Sequence, residues 1–142
     1  PEPWDVSREG LVPRVSRHLR EGRAVTINGR DFATPDGTAV RDYVDVRDLA
    51  RAHVLAAARL ERGDRLPAIN VSTGRPASVL DVVRGLAAAA GATPEIEWAP
   101  RAAGDPDEVW ASAEMAHEWL GWKPEWSLEE SLRSHWDATR RS

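Results

Sequence analysis

The sequence predicts a small mixed α/β domain, built of short strands and about five helices. Segments with apolar residues at helical spacing alternate with short runs of apolar and β-branched residues, which is typical of mixed folds. The 142 residues can form one hydrophobic core and are too few for two ordinary domains. Hydrophobic residues make up 42% and charged residues 30%, as in globular proteins.

The helices are predicted from apolar spacing combined with start and stop signals. Ser78 is a favourable N-cap for the clearest helix, and Gly91 is a typical residue just past a helix end. Asp45 is another favourable N-cap, and Ser127 with Glu130 has the sequence pattern of a capping box. The predicted helices cover residues 11–21, from 46 to near 63, 79–90, 114–120, and from 128 onward.

Short apolar runs bounded by turn residues predict the strands. These runs are residues 24–27, 68–71 and 95–98. Residues 40–44 are also expected to be extended. Asn28-Gly29 is a strong hairpin signal, because both residues tolerate the positive φ of a tight two-residue turn. It predicts that residues 30–33 return along the first strand.

The composition argues against several classes of function. Nineteen basic residues against 23 acidic ones give a net charge of −4, whereas nucleic-acid-binding proteins usually have a basic excess. The lack of cysteine excludes disulfides and a thiol nucleophile, and it is the basis for predicting a cytoplasmic location. No apolar run approaches the roughly 18 residues that cross a membrane, so no membrane association is expected.

Widespread catalytic and cofactor motifs are not found. The sequence contains no Gly-x-Gly-x-x-Gly turn, no phosphate-binding P-loop, no Gly-x-Ser-x-Gly and no His-Glu-x-x-His. The four histidines lie on separate predicted helices without a second ligand three or four residues away. No metal site is therefore predicted.

Two polar segments could bind a ligand. Arg41 lies on the extended segment 40–44, where its guanidinium could clamp a phosphate with Tyr43 beside it. The alternative is an exposed arginine that pairs with Asp42 or Asp45.

The second segment, residues 100–106, carries Arg101 and Asp105 on a predicted loop. Ligand contacts are frequent on loops, so this pair is also a candidate for binding. The alternative is a solvated connector between a strand and a helix.

Four blocks of sequence, taken in order, resemble UDP-glucose 4-epimerases, which are NAD-dependent enzymes of the extended short-chain dehydrogenase/reductase class. The longest block is residues 34–53, Thr-Pro-Asp-Gly-Thr-Ala-Val-Arg-Asp-Tyr-Val-Asp-Val-Arg-Asp-Leu-Ala-Arg-Ala-His. The others are Ile-Asn-Val-Ser-Thr-Gly with Ser-Val-Leu-Asp-Val-Val (69–83), Pro-Arg with Gly-Asp (100–105), and Leu-Gly-Trp-Lys-Pro with Ser-Leu-Glu-Glu (120–130). The resemblance extends from Gly10 to Trp136.

The resemblance implies that residues 1–142 form one nucleotide-sugar-binding domain, the C-terminal substrate-binding part of such an enzyme. The N-terminal Rossmann half, which binds NAD and carries the catalytic Tyr-x-x-x-Lys, is expected to be absent. We therefore expect no catalytic residue and no cofactor in this chain, with NAD as the cofactor of the complete enzyme. The expected partners are a UDP-sugar or another nucleotide sugar, and the Rossmann half.

The resemblance also assigns roles to individual residues. Arg41 corresponds to the arginine that clamps the diphosphate, and Asp105 to a carboxylate that accepts from the ribose hydroxyls. Thr26 and Asn28 correspond to positions whose backbone lies along the edge of the uracil. The complete set of expected substrate-binding residues is Leu11, Thr26, Asn28, Arg41, Tyr43, Arg101 and Asp105.

Three positions depart from the family pattern. Gly10 replaces an asparagine, Ala102 replaces a second arginine that grips the diphosphate, and Val109 replaces a tyrosine that lines the sugar pocket. These departures put in doubt which base and which sugar are preferred.

Two functions are consistent with the sequence. The first is the substrate-binding half of an NAD-dependent 4-epimerase of the UDP-glucose/UDP-galactose type, inactive by itself. The alternative is a stand-alone, non-catalytic module that binds a nucleotide sugar or a protein. The first function predicts an exposed apolar face where the other half would pack, and the alternative predicts a polar surface there.

Overall fold

The computed structural model describes residues 10–140, which form five helices and five short strands. The helices are α1 (Leu11–Glu21), α2 (Val46–Glu61), α3 (Val79–Ala90), α4 (Glu114–Leu120) and α5 (Leu128–Thr139). The strands are β1 (Val25–Asn28), β2 (Val40–Arg41), β3 (Ala77–Ser78), β4 (Ile96–Ala99) and β5 (Glu108–Val109). The predicted α/β class is confirmed. Within residues 10–140, no helix is both long enough and apolar enough to cross a bilayer.

Local capping interactions explain why the helices match their predicted positions. Ser78 accepts from the Asp81 backbone N–H, and the Asp81 carboxylate accepts from the Ser78 N–H, which completes a capping box. Ser127 and Glu130 form the same reciprocal pair at the start of α5. Asp45 caps α2 by accepting from the Arg47 N–H. All of these signals involve residues at most three positions apart, so the sequence displays them directly.

The strands form two small sheets, and the predicted hairpin is wrong. β1 pairs in parallel with β4, and β2 lies between antiparallel β3 and parallel β5. Gly29 does adopt a positive φ of 80°, but its N–H donates to the carbonyl of Ala99 on the β4 side. Residues 30–33 belong to a loop that closes with a bond from the Phe32 N–H to the Gly37 carbonyl. Asn28 is the last residue of β1 and does not adopt a positive φ, so the predicted two-residue turn does not form, and the strand partner of β1 is distant in sequence.

Two further strand predictions differ from the structure. Residues 68–71, predicted to be a strand, form no strand within residues 10–140. The extended segment 40–44 forms a ladder only at Val40–Arg41. β3 and β5 were not predicted, because each is a two-residue strand that exists only through its pairing with β2.

The core has two parts. The first lies between β1 and helices α1, α3 and α5, and it consists of Val15, Val25, Ile27, Leu80, Val82, Val83, Leu86 and Leu132. The second joins α2 to α4 through Ala52, Ala116 and the fully buried Trp122. The Trp122 indole N–H donates to the Asp48 carbonyl at 2.8 Å, so this aromatic ring is both packed and hydrogen-bonded.

Candidate functional site

Arg41 on β2 is joined to the loop that follows β4. Its Nη2 donates to Asp105 Oδ1 at 2.6 Å, and its Nη1 donates to the Val40 and Asp107 carbonyls at 2.7 and 3.4 Å. The other two candidate partners of Arg41 are occupied elsewhere. The Asp42 carboxylate accepts from the Thr73 N–H and hydroxyl, and Asp45 pairs with Arg47. The structure therefore places the Arg41 and Asp105 side chains in direct contact.

The loop 100–107 makes several hydrogen bonds, both internally and with the rest of the protein, and one stacking contact. Gly104 has a φ of 79°, and the Asp105 N–H returns to the Ala102 carbonyl at 3.2 Å, which forms a tight turn. Arg101 stacks on the Phe32 ring with its guanidinium carbon 3.9 Å from the ring centroid. It also bonds the Asp105 carbonyl and the Asp107 carboxylate.

The free edge of β1 lies beside this loop. Bonds in a parallel pair use alternate residues of a strand, and the N–H groups of Val25 and Gly29 donate to the β4 side. The N–H and C=O groups of Thr26 and Asn28 therefore point away from β4. Within residues 10–140 these groups meet no other strand. Gly29 at the end of β1 packs against Arg101, since a Cβ on Gly29 would lie 2.8 Å from the Arg101 Cβ.

Leu11 and Tyr43 belong to the apolar surroundings of the first core cluster. Both are partly buried and pack against it. Tyr43 also lines a cavity of about 220 Å³ with Trp126 and a larger one of about 610 Å³ with Val12. An aliphatic side chain and an aromatic ring on one cluster can flank the planar part of a ligand.

Burial raises the pKa of the Tyr43 phenol above its usual value of about 10, and Asp81 adds to this effect while Arg41 opposes it. Tyr43 is the single tyrosine of the sequence, so an absorbance titration near 295 nm reports on it alone. We expect a midpoint above 10. Because the pKa is raised on folding, this group's contribution to stability is present below pH 10 and is lost as the pH rises through the folded-state pKa. A midpoint at or below 10 contradicts this account.

Tyr43 is therefore a protonated phenol at neutral pH, which suits a hydrogen-bonding or stacking contact and not a base. Within the described residues, no cluster of three or more histidine, cysteine or acidic side chains could hold a metal ion. The site as a whole offers two guanidinium groups, carboxylate acceptors and a free strand edge. Such groups recognise phosphate, hydroxyl and base functions by hydrogen bonding.

The structure brings several of the predicted binding residues together. Arg41, Arg101 and Asp105 form one bonded network, and the free edge of β1 adjoins it through Gly29. Phe32 and Asp107, which contact Arg101, were not among the residues predicted from the sequence. Phe32 is the single phenylalanine of the sequence, a signal that could have drawn attention to it.

The three positions that depart from the family pattern supply no side-chain hydrogen bond at this site. Gly10 is exposed and gives α1 no side-chain cap, whereas an asparagine could provide one. Ala102 is exposed, and Val109 is 51% exposed. None of the three offers a polar side chain.

The sequence is similar to one family of enzymes along most of its length. The profile of the NAD dependent epimerase/dehydratase family matches residues 3–72. A UDP-glucose 4-epimerase from Azospirillum brasilense is 46% identical over 128 residues, which cover 84% of this chain and 37% of the relative. A bifunctional UDP-glucose 4-epimerase and UDP-xylose 4-epimerase from Pisum sativum is 39% identical over 131 residues, which cover 89% and 37%.

Solved structures give the same result. A UDP-glucose 4-epimerase from Stenotrophomonas maltophila, with bound NAD and formylated UDP-arabinopyranose, superposes with a TM-score of 0.90 at 33% identity over 99% of this chain and 42% of that one. The enzyme from Bifidobacterium longum, in complex with NAD+ and UDP, superposes with a TM-score of 0.86 at 33% identity over 94% and 40%. The chain spans about two-fifths of the length of the proteins that it matches.

Proposed function

Because this chain belongs to the NAD dependent epimerase/dehydratase family and is similar to UDP-glucose 4-epimerases, we propose that it is the substrate-binding part of a UDP-sugar 4-epimerase. In this proposal the chain holds the nucleotide sugar and carries no catalytic residue. The observation that carries the proposal is the Arg41–Asp105 pair placed beside the free edge of β1.

The free edge of β1 suits a uracil base. Along one edge of an extended strand, the backbone groups of alternate residues present donor, acceptor and donor in turn. The Thr26 N–H, Thr26 carbonyl and Asn28 N–H form such a series. Uracil presents the complementary acceptor, donor and acceptor along one of its edges. Leu11 and Tyr43, which pack against the first core cluster, would then flank the base and ribose.

The polar network suits the remainder of the nucleotide. The Arg41 guanidinium supplies a positive charge for the diphosphate, and charge-assisted bonds of this kind are among the stronger ones in proteins. The Asp105 carboxylate is an acceptor for the ribose hydroxyls. Their mutual bond of 2.6 Å fixes both groups in place before a ligand arrives, which lowers the ordering cost of binding.

In the complete enzyme the contribution of this chain is positioning. NAD would supply the hydride chemistry, and the Rossmann half of the complete enzyme would hold it together with the residues that move the hydroxyl proton. Fixing the nucleotide at Arg41 and Asp105 would keep the sugar ring within reach of those groups, and such orientation contributes several kcal/mol to catalysis.

The surface of α2 supports a place in a larger assembly. Val46, Val54 and Leu60 lie along one side of this helix and are 75%, 68% and 56% exposed. The adjoining segment 65–71 is irregular and belongs to no strand within the described residues. An exposed apolar helix face is the surface expected where a second domain packs. The cytoplasmic location stays a prediction.

The proposal is tested by calorimetric titration of UDP-glucose into the 142-residue chain and its Arg41→Ala variant. We expect the variant to bind about 10- to 100-fold more weakly, the loss of one charge-assisted interaction of about 1.5–3 kcal/mol. Arg133→Ala is the matched control, because Arg133 is an exposed α5 residue paired only with Glu129 in the described structure. We expect wild-type affinity for this control.

Two results would contradict the proposal in different ways. Equal binding by wild type and Arg41→Ala would remove Arg41 from the site. No heat from the wild-type chain at millimolar UDP-glucose would show that this chain alone does not form the binding site. In that case Gly10 and Ala102 are the first positions to restore to asparagine and arginine.

A further inference from the structure

Arg101 lies at the centre of a cluster that ties three segments together. Its guanidinium carbon is 3.9 Å from the centroid of the Phe32 ring, which belongs to the loop after β1. Its Nη1 is 3.3 Å from the Asp107 carboxylate, and its Nη2 donates to the Asp105 carbonyl. Both terminal nitrogens and one face of the guanidinium are therefore in contact with the protein.

Asp107 extends this cluster to the neighbouring backbone. Its carboxylate also accepts from the Ala33 N–H at 3.2 Å, and its carbonyl accepts from the Val40 N–H at 2.9 Å. Arg101 and Asp107 together hold the loop after β4 against the loop after β1 and against β2.

Asp105 is held between two arginines. Arg101 bonds its backbone carbonyl, whereas Arg41 bonds its carboxylate. The preceding residue, Gly104, adopts a left-handed conformation that few other residues could share. The direction of the Asp105 carboxylate therefore depends on where Arg101 fixes the Asp105 backbone.

We propose that Arg101 is a positioning residue that holds the Asp105 carboxylate in place for the ribose and does not itself bind the diphosphate. This inference rests on the proposed function. Lysine cannot replace arginine here, because an ammonium group lacks the planar fork that stacks on Phe32 while its two nitrogens bond different acceptors.

The test compares uridine with UDP-glucose as ligands for wild type and Arg101→Lys, by ligand-observed NMR. A positioning role through Asp105 predicts that the affinities for both ligands fall by the same factor, about 3- to 10-fold, the equivalent of one hydrogen bond. A direct phosphate contact instead predicts a loss for UDP-glucose and none for uridine, which would overturn the proposal. Arg133→Lys is the matched control and should leave both affinities unchanged.

A double-variant comparison shows whether the effect passes through Asp105. Once Asp105→Asn has removed the carboxylate, adding Arg101→Lys should change the uridine affinity by less than about twofold, because coupled residues are not additive. Independent, additive losses would contradict the proposal.

Hydrogen exchange without ligand separates this inference from the proposed function. In Arg101→Lys we expect faster exchange of the Ala33, Val40 and Asp105 amides, while the amides of α5 keep their wild-type rates. If the wild-type chain binds neither ligand, the proposed function fails, and these amides still decide whether Arg101 holds the loop. Unchanged exchange at all three would overturn the positioning role.

Discussion

Replacing Asp48 with alanine is expected to lower the free energy of unfolding by about 3 kcal/mol. The Asp48 side chain is 1% exposed, and its carboxylate accepts from the Glu125 N–H at 3.0 Å and the Trp126 N–H at 3.1 Å. It also pairs with Arg51 at 3.1 Å. Alanine would leave these donors without their acceptor. Because the Asp48 side chain is buried, water could not fully replace the lost carboxylate.

Urea unfolding followed by tryptophan fluorescence measures this effect, because Trp122 and Trp126 lie in the segment that Asp48 holds. Asp64→Ala is the matched control. Asp64 makes an ion pair with Arg59 at 2.6 Å, but its side chain is 39% exposed, so its loss should cost less than about 1 kcal/mol. Similar stabilities for Asp48→Ala and wild type would mean that the segment 122–126 is held by Trp122 packing alone.

Asp48 also shows which kind of interaction cannot be predicted from the sequence. It was visible as an acidic residue in the first turn of a predicted helix, where a negative charge is favourable. Its larger role comes from residues 125 and 126, which are distant in sequence and approach it only in the folded chain. Nothing in the local pattern distinguishes it from Asp81, which serves a cap within its own turn.

Helix ends could be predicted from neighbouring residues, whereas strand pairing could not. The ends of α1, α3 and α4 were predicted correctly because Gly22, Gly91 and Gly121 stop them in left-handed conformations. The partner of β1 was predicted wrongly. Asn28-Gly29 is a signal from adjacent residues, whereas the pairing of β1 with β4 joins segments that are distant in sequence. Not all apolar residues of α2 face the core, since Leu49 and Leu60 are 39% and 56% exposed.

The family could be predicted from the sequence, and the comparisons confirm it. The resemblance predicted binding roles for both Arg41 and Asp105, and the structure places their side chains in contact. Their roles in binding stay predictions. The roles of Phe32 and Asp107 could not be predicted, because they depend on contacts with Arg101 and other residues that form only in the folded chain. A resemblance transfers expected ligand contacts, while the residues that support those contacts become visible only in three dimensions.

Gly29 contributes both to the stability of the fold and to the packing around the candidate site. Gly29→Ala is expected to lower the free energy of unfolding by about 3 kcal/mol or more. Its φ of 80° disfavours any side chain by about 1–2 kcal/mol. A Cβ at this position would also lie 2.2 Å from the Phe32 ring and 2.8 Å from the Arg101 Cβ, and forced overpacking costs about 1–3 kcal/mol. The Phe32 ring must therefore shift, and its stacking on Arg101 would be lost.

Gly22→Ala isolates the backbone contribution, because Gly22 has a φ of 63° and a Cβ there would meet nothing within 4 Å. We expect Gly22→Ala to cost about 1–2 kcal/mol in urea unfolding and to leave UDP-glucose binding intact. Gly29→Ala should exceed that cost and also weaken UDP-glucose binding, because the new methyl group displaces the cluster that holds Asp105. Equal costs for the two variants, with binding retained in both, would mean that the Phe32 loop moves aside freely and does not support the site.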